Sequence, residues 1–420
     1  MFGASKIIQL TVDRLGPKGD GVAIFPKGSV FVDRTAPLDE VSVRIFQDKA
    51  GITRGEVVKL LTPSPYRQKP PCPHFDSCGN CTLQHLNLEF YQFWKNETVK
   101  ESLKKAGLHT KTFLKPIFLE GQNRRRITFT ALNERGKITL GYYQRRSKQI
   151  TTINQCEIAL PDLFVFKDSL KPFLKYLLTP STPIDISLQW VSGKLDIVIS
   201  GLKLSAKNEK ILKEISELPP VARLSLKNET KINVLFNNHP LRKSFGEIQV
   251  NLPPGAFLQP TQEGEEALVK TVMAALPEGK QFADLFSGCG TFSGAMLSRG
   301  SVDSFESSNS AVKSLSEATR NFPLKVYRRD LFKNPIRHQD LNRFDAIVFD
   351  PPRAGCEEQA HQMALSKCKT LIGVSCNPAT FARDAKILVR GGYQLQSLQV
   401  IDQFLWSHHV ELVGVFKKLR

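Results

Sequence analysis

No run of eighteen or more uncharged apolar residues occurs in the 420-residue chain, which argues against a membrane-spanning helix. The opening residues Met1-Phe2-Gly3-Ala4-Ser5-Lys6 lack the apolar core that an export signal needs. Acidic residues are also short in supply, 40 Asp and Glu against 58 Lys and Arg, giving a formal net charge of +18 and a pI near 9.5. Folding does not require such an excess; it favours a polyanionic partner, nucleic acid first. A membrane surface would call for a strongly basic amphipathic helix or a lipidation signal, and neither is evident. Cysteine is sparse, with eight residues and no export signal, so a disulfide framework is not expected. Metal binding or catalysis is the better use for these thiols. Internal repeats and low-complexity tracts are absent. A soluble, cytoplasmic monomer of two or three domains is the expectation at this length.

Basic residues gather at Arg124-Arg125-Arg126, Arg145-Arg146, Arg242-Lys243 and Arg328-Arg329, with Tyr142-Tyr143 beside the second group. Each alone is compatible with a solvated face, but together with the net charge they favour RNA or DNA. Between residues 6 and 61, short alternating segments such as Val41-Ser42-Val43-Arg44-Ile45 are separated by turns such as Gly16-Pro17-Lys18-Gly19-Asp20-Gly21. Five short strands in that length predict a small OB-like barrel over residues 1–62, a scaffold that commonly holds single-stranded nucleic acid. A proline-rich linker from Thr62 to Pro71 follows. Apolar spacing predicts a helix over residues 84–108, packing with either the central or the C-terminal domain. Residues 63–254 form a mixed α+β central domain of undefined topology. After Gly255, strands and helices alternate to residue 420, predicting a doubly wound, mostly parallel α/β domain over 255–420.

Cys72-Pro-His-Phe-Asp-Ser-Cys78-Gly-Asn-Cys81 places three thiols in one loop, and Cys156 is the only other cysteine before the C-terminal domain. Three close thiolates and a distant fourth suit a 4Fe-4S cluster. Zinc remains open as the alternative, with His74 or His85 able to complete a set of ligands. The spacing lacks the C-x3-C-x2-C run of radical-generating enzymes, so a structural or RNA-positioning cluster is expected.

In the C-terminal domain, Gln281-Phe-Ala-Asp-Leu-Phe286 predicts a buried strand, and Ser287-Gly-Cys-Gly-Thr-Phe-Ser-Gly294 the turn that opens a helix. About twenty residues on, Val302-Asp-Ser-Phe-Glu306 ends in a carboxylate at the offset suited to ribose hydroxyls. Ser293 stands where the dinucleotide fingerprint has its third glycine, which favours a cofactor without a pyrophosphate; S-adenosylmethionine fits. Two prolines stiffen Asp350-Pro-Pro-Arg353 and hold Asp350 at the tip of a fourth strand. Cys376, in Ser375-Cys-Asn-Pro378, follows the apolar run Thr370-Leu-Ile-Gly-Val374, a position from which a thiol can act as a nucleophile. By itself it is equally compatible with a small buried hydrophobe.

These motifs, with Gly255-Ala-Phe-Leu-Gln259, Cys81-Thr-Leu-Gln-His85, Asp350-Pro-Pro-Arg-Ala-Gly355, Ser375-Cys-Asn-Pro-Ala-Thr-Phe-Ala-Arg-Asp384 and His409-Val-Glu411, resemble the RNA uracil-5-methyltransferase family along essentially the whole chain. They are most similar to its bacterial 23S rRNA branch; the family also includes tRNA enzymes. The resemblance implies that the barrel is a TRAM domain and that Cys72, Cys78, Cys81 and Cys156 hold the 4Fe-4S cluster. Gln259, Phe286, Thr291, Glu306 and Asp330 would line the S-adenosylmethionine site, and Asp350 would face cofactor and uracil. Cys376 would be the nucleophile and Glu411 the base. Pro260-Thr261, Thr291 and Phe404-Leu-Trp-Ser-His408 depart from the usual family pattern.

Overall fold

A computed structural model describes residues 7–26 and 28–419. Residues 1–6, including the first position of the opening strand expected from Lys6, lie outside the described residues. No helix among the described residues is long and apolar enough to cross a membrane. The chain forms two compact units: Met1–Glu101 with Tyr143–Gln149 and Phe404–Val410, and Ser102–Tyr142 with Ile150–Gln403 and Glu411–Arg420.

In the first unit, six strands make one sheet in the order Ile7–Thr11, Glu40–Gln47, Thr53–Thr62, Gly28–Val32, Gly21–Phe25, Arg14–Leu15. Period-two patterning is clearest in Glu40–Gln47, where Val41, Val43 and Ile45 point inward between exposed or half-buried neighbours. With Val12, Val30 and Val32 they form a core no more than 3% exposed, each side chain contributing about 1.5–3 kcal/mol. Gly21 is dictated by crowding, since a Cβ there would stand 2.0 Å from Thr35 Oγ1. The cysteine loop and the start of the helix Leu88–Lys105 belong to this unit. So does the segment 404–410: the Trp406 carbonyl accepts hydrogen bonds from the backbone N–H of Thr82 and Leu83, and the Trp406 N–H donates to Tyr91 Oη.

The second unit contains two large sheets. Seven strands lie in the order Ile150–Thr152, Lys137–Tyr143, Arg126–Glu134, Ile184–Val191, Lys194–Ser200, Val221–Asn228, Lys231–Asn237. Lys194–Ser200 and Val221–Asn228 run parallel, joined through the helix Ala206–Ser216. The other sheet holds the order Leu324–Arg328, Ser301–Glu306, Gln281–Leu285, Ala346–Phe349, Thr370–Ser375, Glu411–Lys418, Tyr393–Asp402, with Thr112–Phe113 and Ile117–Phe118 both paired to Tyr393–Asp402. Its first five strands are parallel, and Glu411–Lys418 is inserted antiparallel to both neighbours. The parallel strands are near-continuous apolar runs because helices cover both faces. After Gly255 strand and helix alternate up to Tyr393–Asp402, but the last two strands, Tyr393–Asp402 and Glu411–Lys418, follow each other with no helix between them.

Candidate active site

Parallel strands deliver the residues after them to one edge of the sheet, and the connections there form the crevice of an open α/β fold. Phe286 follows Gln281–Leu285, Asp350 follows Ala346–Phe349, Cys376 follows Thr370–Ser375, and Glu306 is the last residue of its own strand. Glu411 reaches the same edge by the opposite route, as the first residue of the antiparallel strand. Its neighbour Leu412 pairs with Ser375, so the next step of the register sets Glu411 beside Cys376.

The charges of this group are mismatched. Burial pushes the Cys376 thiol up to about 11, and the carboxylates of Glu411 and Asp350 add to the effect while Arg353 opposes it. Glu411 is 3% exposed, not the surface carboxylate that an isolated Glu in this position suggests. Burial first, then Asp350, pushes its carboxyl up to about 8, with a hydrogen bond from Gln403 opposing. Asp350 keeps some solvent access as a residue, yet burial of its carboxyl pushes it up to about 7. Raised values do not single out Cys376, because burial also lifts Cys289 to about 12 and Cys368 to about 11. Access does: Cys289, Cys356 and Cys368 are at most 5% exposed, whereas Cys376 is only half-buried.

The glycine-rich turn is held from several sides. Both carboxylate oxygens of Glu306 accept backbone N–H bonds, from Gly288 at 3.0 Å and Ser308 at 2.7 Å. Gly290, at φ 98°, caps the helix Thr291–Met296 in a conformation that a side chain disfavours. Ser293 serves the scaffold, since its hydroxyl bonds Asp284 Oδ2 and lies 2.7 Å from Ser304 Oγ. Asp284 is fully buried, and burial pushes its carboxyl up to about 7 against that Ser293 bond. Phe286 takes φ 64°, which costs a non-glycine residue about 1–2 kcal/mol, and its ring stands 5.6 Å from that of Phe332. Asp330 accepts the Phe332 N–H at 3.1 Å. Gln259 is 6% exposed; its carbonyl accepts from Arg125 Nε at 2.8 Å and its side-chain oxygen from Gln403 Nε2 at 2.7 Å. Thr261 caps the helix Gln262–Ala275 by accepting the Gly264 N–H.

Each of the four basic clusters commits at least one member to an internal partner, and Arg145-Arg146 commits both to ion pairs. Arg125 is buried, with Nη2 2.6 Å from Glu265 Oε2, and Lys243 meets Glu265 Oε1 at 2.9 Å. In the first unit, Arg145 and Arg146 both pair with Asp20 and Asp33. Arg329 donates to the carbonyls of Asn334 and Pro335. Arg126, Arg242 and Arg328 remain exposed.

Among the described residues, no group of three or more His, Cys, Asp or Glu stands close enough to hold a metal ion. Cys72, Cys78 and Cys81 share one loop of the first unit. Cys156 belongs to the second unit, where burial raises its thiol. His85, a candidate fourth ligand, is 1% exposed with Nε2 3.2 Å from the Thr35 carbonyl, and burial lowers it to about 4. It is tied into its own unit.

Gln403 and Glu265 escaped the sequence motifs. The only local signal for Gln403 was its position eight residues before Glu411.

A doubly wound sheet with a glycine turn after its first strand and a carboxylate ending its second defines the class, an α/β methyltransferase. Residues 310–420 match the family model described as tRNA (Uracil-5-)-methyltransferase. A Brucella suis protein named only as an RNA methyltransferase is 37% identical over 422 residues, covering 99% of each chain. The 23S rRNA (uracil(1939)-C(5))-methyltransferase RlmD of Vibrio parahaemolyticus is 27% identical, covering 97% of this chain and 95% of its own. The fold matches the Pyrococcus abyssi tRNA (uracil-54, C5)-methyltransferase, solved with S-adenosyl-L-homocysteine, at a TM-score of 0.77 and 23% identity over 97% of this chain and 99% of that one. The chain belongs to the RNA methyltransferase family of the Brucella suis relative.

Proposed function

We propose that the protein methylates carbon 5 of a uridine in 23S rRNA through a covalent adduct with Cys376. The observation that carries this reading is a half-exposed thiol at a strand tip, in the electrostatic field of Glu411 and Asp350. Carbon 5 of uracil is too weak a nucleophile to take a methyl group unaided. Cys376 gives up its proton to solvent and adds to carbon 6 as the thiolate, which moves the ring electrons towards carbon 5 and makes an enolate. Carbon 5 takes the methyl group from S-adenosylmethionine, which leaves as S-adenosylhomocysteine, and the donor's positive sulfonium would offset part of the burial and carboxylate field that keep the thiol protonated. Glu411, as carboxylate, then takes the proton from carbon 5; the electrons of that C–H bond restore the ring double bond and expel the Cys376 thiolate. Asp350 faces the cofactor and the uracil. Gln259, Phe286, Thr291, Glu306 and Asp330 line the donor site, where the fixed Phe286 backbone and the doubly held Glu306 favour a rigid pocket.

The uridine must leave any stack to reach Cys376, so a single-stranded or easily opened segment is the substrate. The six-stranded sheet, read as a TRAM barrel, would grip the flanking RNA. The 23S target rests on the resemblance to the rRNA branch and on the Vibrio relative. Labelled S-adenosylmethionine, incubated with unmodified 23S rRNA and tRNA transcripts and followed by mapping of the label, tests it. Label at uracil carbon 5 of 23S rRNA is the expected result; transfer to tRNA alone moves the substrate, and transfer to neither ends the reading. The 4Fe-4S proposal for Cys72, Cys78, Cys81 and Cys156 is supported only by donor chemistry, with zinc as the other candidate. Iron, sulfide and zinc analysis of anaerobically purified protein separates the two.

A further inference from the structure

The geometry points to Gln403 as a positioning residue for Glu411, holding the base as an aimed carboxylate and tying it to Gln259 on the donor side; this rests on the reaction proposed above. Gln403 lies just past the strand Tyr393–Asp402 and is 3% exposed. Its Nε2 donates to two acceptors, Gln259 Oε1 at 2.7 Å and Glu411 Oε2 at 3.3 Å. An amide nitrogen carries two protons, so one group serves both partners at once. Its Oε1 has no hydrogen-bond partner among the described residues and rests against Gly264, where a Cβ would stand 2.2 Å away. Gly264 sits in the first turn of Gln262–Ala275, with its N–H bound by Thr261, so the amide is backed by a fixed helix start.

Burial and Asp350 push charge off Glu411, and Asp402 acts in the same direction. The Gln403 hydrogen bond and Arg353 favour the carboxylate, and the Cys376 thiol lies in the same field. A carboxyl held protonated cannot take the carbon 5 proton. The bond from Gln403 therefore acts on the last step, release of the thiolate, more than on attack of the sulfur.

Gln403→Met keeps the length and removes the donor. With uridine-containing RNA and S-adenosylmethionine, the variant should accumulate a covalent protein–RNA complex that the wild type clears. The acid limb of its turnover profile should move to higher pH by about one unit, equivalent to about a tenfold loss on that limb. Complex formation with RNA carrying 5-fluorouridine should persist, because that substrate stalls before proton removal. An unmoved acid limb without accumulation overturns the assignment. Loss of the 5-fluorouridine complex together with a lowered melting temperature shows a purely structural role and also overturns it. Failure of the wild type itself to form the 5-fluorouridine complex refutes the underlying reaction, and Gln403's role with it.

Discussion

Buried carboxylates occur in both units, and they are treated oppositely. Asp20 in the first unit is 3% exposed and ringed by Arg54, Arg145 and Arg146. Burial would raise it, yet Arg145, Asp33, Arg146 and Arg54 together hold it below its ordinary value. Asp39 there is clamped by Arg67 through two nitrogens. At the strand tips of the second unit, Asp284, Asp350 and Glu411 are buried together, and their carboxyls are lifted to about 7, 7 and 8. That unit has cations to use: Arg223 meets Asp196, and Arg125 and Lys243 meet Glu265. They pair away from the strand tips. The raised carboxyls of Asp350 and Glu411 lie where the proposed proton transfer would fall, and perturbed groups gather at functional sites.

The contrast is tested most severely at Cys376. Cys376→Ala should lower methyl transfer by at least about 10^3-fold and abolish the complex with 5-fluorouridine RNA, measured by label transfer and gel shift. A variant still methylating carbon 5 refutes the covalent route. Glu411→Gln should lower turnover by about 10^2–10^4-fold while the adduct accumulates. It should also stabilise the fold in alkali. A carboxyl raised to about 8 binds its proton more tightly folded than unfolded, so its stabilising contribution is complete below its ordinary 4.5 and is lost as pH rises through 8. The variant should exceed the wild type by roughly 4–5 kcal/mol at pH 9 and come within about 1 kcal/mol of it near pH 5, by denaturant titration.

Asp20→Asn should have the opposite sign, costing about 3 kcal/mol at neutral pH by leaving arginines unpaired. Because Asp20 is lowered, that stabilisation is present above the ordinary carboxylate range and disappears in acid, where variant and wild type converge. Equal stability at pH 7 would break the comparison. The smallest effect is expected at exposed Arg328: Arg328→Ala should weaken RNA binding uniformly and reduce the salt slope by about 1.

The site was legible where its chemistry is local. Strand-then-loop patterns placed Phe286, Asp350 and Cys376 correctly at carboxyl ends, because a parallel sheet leaves little freedom to the residues just after a buried strand. The internal partners of Arg125 and Arg145 were hidden for the complementary reason: Glu265 and Asp20 lie 140 and 125 residues away, so a run of arginines carried no sign of them. The order of the seven-stranded sheet was equally hidden, since Arg126–Glu134 pairs with Ile184–Val191 across an intervening helix. Gln403 needed both Gln259 and Glu411 in place before its amide had a meaning.

The antiparallel insertion of Glu411–Lys418 has a consequence for the growing polypeptide. Tyr393–Asp402 leaves the ribosome first, yet its place in the sheet is beyond a strand not yet made. A nascent chain stopped before residue 411 has an open gap between Thr370–Ser375 and Tyr393–Asp402, with two unpaired edges and no Glu411. The strand that closes the gap brings the proposed base with it, so a molecule interrupted there can neither finish its sheet nor turn over an RNA.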